Sequence, residues 1–117
     1  MNLFMRHFSP QTHHRIARMI CQRVNIPIRK VFARDRHRDY CVTRQIISYV
    51  LHHHYKYKLS YIGKMFNLDH STIYHGCKEV ATQMQVNHAF FEKVSGIVDY
   101  VTTKVQKPKQ KQPSTEY

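Results

Sequence analysis

With 117 residues the chain has room for one compact domain and no second one, which excludes an enzyme with a separate nucleotide-binding domain. Its 19 Lys and Arg against 7 Asp and Glu give a net charge of +12, which favours a polyanionic partner: DNA, RNA or an anionic membrane on charge alone. Cys21, Cys41 and Cys77 are widely spaced and odd in number, so neither a disulfide framework nor a zinc ribbon is expected, and the lack of any long apolar run argues against a signal peptide or membrane span and for a cytoplasmic protein.

In chain order, Ser9-Pro10 reads as a helix start, followed by Ile16, Ala17, Ile20, Cys21 and Val24 on one stripe until Asn25 and Pro27 end it. A shorter helical turn carries Ile28, Val31 and Phe32. Residues 34–39, Arg-Asp-Arg-His-Arg-Asp, have no apolar face and read as a basic loop that is either groove-seeking or simply a solvated charge run. Thr43 is the expected cap of the next helix, with Ile46, Ile47, Val50 and Leu51 inward, Arg44, Ser48 and His52 outward, and Arg44 near a positive helix end free to meet phosphate. The three histidines 52–54 point about 100° apart on a helix and do not converge on one ion, so no metal is expected. Tyr55 and Tyr57 edge the core, while Lys56 and Lys58 are surface residues.

Ser60 is the expected cap of a short helix holding Tyr61, Ile62, Met65 and Phe66, with Gly63 permitting a close helix contact. A three-residue turn leads to a helix in which Ile73, Cys77, Val80 and Met84 share the core face, and Ser71, His75, Lys78 and Thr82 the opposite one. This pair, about residues 60–85, reads as a helix-turn-helix. Asn87 can cap a last helix bearing Phe90, Phe91, Val94, Ile97, Val98 and Val101, which also offers a face for a homodimer. The expected layout is an all-α domain over residues 1–103 and a disordered basic tail over 104–117.

The start of the second helix in this pair carries the chemistry. Asp69 serves as an N-cap, as a base reader, or as both. His70 has no capping duty, so its polar ring is the better candidate for base contact. Ser71 and Thr72 are either first-turn polar groups or contacts to base edges and methyls. No Gly-x-x-x-x-Gly-Lys-Ser/Thr loop accompanies Gly63-Lys64, so no ATP and no other cofactor is expected.

An opening helix, Ile28-x-x-Val31-Phe32, an Arg-rich loop, Arg44-Gln45-Ile46, Ile62-Gly63-x-x-Phe66 and Asp69-His70-Ser71-Thr72-Ile73-x-His75 together resemble the C-terminal duplex-DNA-binding domain of the bacterial replication initiator DnaA over roughly residues 16–80. The resemblance implies a Trp-repressor-like helix-turn-helix that binds double-stranded DNA without enzymatic activity. It implies Arg36 in the minor groove, Asp69, His70, Ser71 and Thr72 reading the major groove, and Arg34, Arg38, Arg44, Lys64, His75 and Lys78 holding phosphates. The chain departs from the family where Asn67-Leu68 stands for Gly-Gly-Arg and where Thr43 stands for the proline before Arg-Gln. The expected role is sequence-specific DNA binding in replication initiation or transcription control, on the bacterial nucleoid or in a host cell if phage or mobile-element encoded. The alternatives are a protein adaptor with non-specific DNA affinity, and a nucleic-acid-processing enzyme subunit, for which the chain offers no closely paired carboxylates.

Overall fold

The apolar stripe of the first segment folds as α1 (Thr12–Val24), with Ile16, Ala17, Met19, Ile20 and Cys21 buried. The computed structural model describes residues 12–33 and 35–106, so the expected start at Ser9-Pro10, residue Arg34 and the tail from residue 107 onward lie outside the described residues. Asn25 ends α1 in the left-handed region (φ 62), with Asn25 N–H donating to the Gln22 carbonyl and Ile26 N–H to that of Cys21. This paired return of amides is the Schellman arrangement, and it satisfies carbonyls that the helix end would leave open. Then follow α2 (Ile28–Phe32), α3 (Arg38–Tyr49) running into a π-helical turn (Val50–His54), α4 (Leu59–Phe66), α5 (His70–Val86) and α6 (His88–Lys104). No strand occurs among the described residues, as the patterning predicts for an all-α domain.

One core joins these elements: Ile16 and Ile20 of α1 share a buried cluster with Ile46, Ile47, Val50 and Leu51 of the α3 segment, Ile62 and Phe66 of α4, Ile73 and Val80 of α5, and Val94, Ile97 and Val101 of α6. Tyr55 and Tyr57 are members of that core rather than its edge, at 0% and 8% exposed. The Tyr55 hydroxyl donates to the Val105 carbonyl, and burial pushes this phenol's pKa up to about 12. That bond ties the end of α6 to the stretch before α4. Tyr55→Phe leaves a buried carbonyl without this donor and is expected to cost about 1–3 kcal/mol in a urea titration.

Several expected boundaries move. Arg38 and Asp39 belong to α3, not to the loop, because His37 is the cap: its Nδ1 accepts from the Asp39 N–H at 3.2 Å. Thr43 is therefore not a cap but a buried interior residue, its hydroxyl donating to the Asp39 carbonyl at 2.8 Å. Ser48, expected outside, is 2% exposed and donates to the Arg44 carbonyl. Both hydroxyls bond back one turn, which lets a polar side chain sit on a buried face. Ser60 lies inside α4, whose cap position is Lys58, and α6 continues through Lys104 to a buried Val105.

Candidate nucleic-acid interface

The corner between α4 and α5 is built by three residues, Asn67, Leu68 and Asp69. Asn67 takes the left-handed conformation (φ 59), its N–H donating to the Lys64 carbonyl and the Leu68 N–H to that of Gly63 at 2.8 Å. Asparagine tolerates this backbone because it is less hindered there than a bulky residue and its short side chain bonds locally. The shortened turn thus closes without the family's two glycines. Gly63 makes it possible: a Cβ at that position would stand 2.6 Å from the Leu68 carbonyl oxygen.

Asp69 then caps α5. Its carboxylate accepts the Ser71 N–H at 2.9 Å and the Ser71 hydroxyl as well, and these two bonds hold its pKa below the usual carboxylate value. A depressed folded value means that the stabilisation exists above the unfolded pKa and is lost only as pH falls through the lower, folded one. The cap is consequently charged at every pH at which duplex DNA is handled. His70 projects next to it, 67% exposed at the side chain, its Nδ1 3.9 Å from the carboxylate. Ser71, Thr72, His75 and Lys78 are all exposed, while Ile73, Gly76 and Val80 face inward, so α5 offers its polar tip and outer face to solvent. Lys64 is exposed on α4.

The basic loop is held in place. Arg44, expected to be free near a helix end, lies within α3 and is half-buried: its Nε donates to the Val31 carbonyl at 2.8 Å and Nη2 to the Asp35 carbonyl at 3.2 Å. Its guanidinium therefore fastens the end of α2 and the middle of the loop to α3, because a planar fork with donors on different edges can bridge two carbonyls that a point-like ammonium cannot. Asp35 adds an acceptor for the His37 N–H at 2.9 Å and a contact to Lys30 Nζ at 3.9 Å. Arg36 is exposed beside this fixed carbonyl, so its side chain starts from a constrained backbone.

The start of α3 and the first turns of α5 border one groove. Arg38, at the start of α3, lines the same groove as Thr72 and His75 of α5. Arg44 and Leu68 likewise border a smaller cleft with Thr72. The patterning overlooked Tyr74, which is 48% exposed on α5 with Lys78 Nζ 6.0 Å from its ring centroid. Its spacing of three from Ser71 and four from Lys78 marks the outer face, yet an aromatic residue on a helix reads first as core. His52 sits with Nδ1 2.8 Å from the Tyr57 carbonyl oxygen, closing the π-helical turn, and among the described residues no group of three His, Cys, Asp or Glu could hold a metal ion. Cys21, Cys41 and Cys77 are free thiols, and burial pushes those of Cys21 and Cys77 up to about 11.

Residues 13–80 match the family described as the bacterial dnaA protein helix-turn-helix. The chain belongs to this DnaA helix-turn-helix family. It is similar to the chromosomal replication initiator protein DnaA of Bacteroides thetaiotaomicron, 30% identical over 83 residues covering 70% of this chain and 18% of that protein. The corresponding DnaA of Mycoplasma pneumoniae is 28% identical over 79 residues, covering 68% of this chain and 18% of that protein. The chain thus spans about a fifth of the length of the curated relatives it matches. In DnaA-family terms the matched span takes in α1 through the first part of α5, and α6 lies beyond it. No helix among the described residues is long and apolar enough to cross a membrane.

Proposed function

We propose that this module binds double-stranded DNA at specific sequences and acts in replication initiation or transcription control, for a bacterium or for a phage or mobile element. One observation carries the reading: an exposed, carboxylate-capped tip on α5 shares a groove with Arg38, the first residue of α3 after a basic loop whose backbone Arg44 holds. In this reading the tip enters the major groove while Arg36 reaches into the adjacent minor groove. Asp69, His70, Ser71 and Thr72 meet base edges, and Arg38, Lys64, His75 and Lys78 meet phosphates. Arg34 remains a phosphate candidate on sequence grounds alone. Arg44 takes a positioning role instead, because its guanidinium is bonded to the protein backbone.

Hydrogen-bond polarity sets what Asp69 and Ser71 meet. Because the Ser71 hydroxyl donates to Asp69, its lone pairs are what remain for an outside group, and the second carboxylate oxygen of Asp69 is also an acceptor. These two residues are set to accept from exocyclic amino groups, cytosine N4 or adenine N6. Selection of bound duplexes from a random library tests the function, and one recurring site is the expected outcome. A ratio of specific to random affinity near unity would refute sequence reading. That ratio is also the signature of a protein adaptor, for which the exposed Val86 (72%) and Phe91 (44%) at the α5–α6 bend would supply the partner face or a homodimer contact.

A further inference from the structure

A groove of about 850 Å³ runs along α5 between α3 and α6. Its floor is the α5 row Thr72, His75, Gly76, Glu79, Val80 and Gln83, a stretch of about 16 Å at the helical rise, which matches the rise of roughly five nucleotides in one strand. One wall is α3, beginning with Arg38; the other is the first turns of α6, with Asn87, Phe90 and Lys93. We propose that this groove seats the sugar-phosphate backbone flanking the bases read by the α5 tip, and that Lys93 of α6 is a phosphate-binding residue. The inference rests on the duplex-DNA reading above and extends it to an element beyond the family match.

Continuity with the tip is the first argument. Thr72 and His75 belong both to the exposed reading face of α5 and to the groove floor, so a duplex engaged by the tip has its backbone at the groove mouth. Charge is the second. Arg38 and Lys93 stand on opposite walls, both exposed, against the single carboxylate of Glu79, which accepts from Gln83 Nε2 at 3.3 Å. Donor chemistry is the third: the Asn87 side-chain oxygen is taken by the Phe90 N–H at 3.0 Å, which leaves its amide NH₂ as a donor toward an anionic oxygen. Glu79 opposes the phosphates and limits non-specific affinity.

The test is a salt titration of binding by the full chain to two labelled duplexes, one carrying the selected site and one of random sequence. Lys93→Gln should weaken both by the same factor and make the plot of log affinity against log salt shallower by about 0.9, the yield of one lost phosphate contact. Lys93→Arg should restore the slope, and Glu79→Gln should tighten binding to both duplexes. Lys93 is exposed, so an unchanged helical circular dichroism melt is expected for each variant. A steep wild-type slope left unchanged by Lys93→Gln would overturn the assignment and leave the groove to a peptide partner. A wild type that fails to distinguish the two duplexes would instead count against the sequence-specific reading, while Lys93 would still be judged by its slope.

Discussion

Gly63→Ala is expected to destabilise the domain by about 1–3 kcal/mol and to weaken DNA binding beyond what the loss of stability explains. The methyl group would meet the Leu68 carbonyl oxygen at 2.6 Å, and backbone, unlike the end of a flexible side chain, has no easy way to retreat. Moving Leu68 pulls its N–H away from the Gly63 carbonyl, now 2.8 Å distant, and shifts Asp69 and the start of α5 with it. The tip would then approach DNA at a changed angle although each reading residue is intact. Urea unfolding reports the first effect, and binding measured at a temperature where the variant is fully folded reports the second. A variant with wild-type stability and affinity would mean that the α4–α5 corner is not as tight as described.

Arg44→Ala is expected to have an effect of similar size for a different reason. The guanidinium joins α3 to the Val31 carbonyl of α2 and the Asp35 carbonyl of the loop, and hydrogen bonds from a charged donor contribute about 1.5–3 kcal/mol. Removing the side chain leaves both carbonyls to find water and lets the backbone at Arg36 wander. On DNA the variant should resemble Arg36→Ala: weaker binding and blunted preference on the minor-groove side, with the major-groove preference retained. Arg44→Lys should recover little, since one ammonium cannot span both acceptors. A library selection on each variant, together with urea unfolding, separates this positioning role from a direct phosphate contact, which would lower affinity without altering preference or stability.

What could be read from the residues, and what could not, follows from whether a feature is local. The cap at Asp69, the cap at Asn87, the three-residue corner and the core row Ile73 to Met84 are set by neighbours two to five places away, and the folded chain keeps them. The α3 start was misread because an imidazole, not one of the usual short oxygen-bearing side chains, supplies the cap, and because Thr43 looks like a cap while bonding backwards from inside the helix. Arg44 poses a deeper difficulty. Its partners lie 13 and 9 positions upstream, and no periodicity reveals that a charged side chain will fold back onto a loop. The groove wall that holds Lys93 is likewise a product of how α6 packs on α5, and no spacing along the chain reveals that Lys93 borders the same groove as Thr72 and His75.

The most direct test of the whole account compares wild type, Arg36→Ala and His70→Ala on the selected duplex and on single-base variants of it. Both side chains are exposed, so folding should be unaffected. The expected result is a loss of about 1–3 kcal/mol for each variant on the best site, with preference flattened at different positions, near the minor-groove contact for Arg36 and under the α5 tip for His70. Undiminished affinity and an unaltered order of preference in both variants would contradict the account.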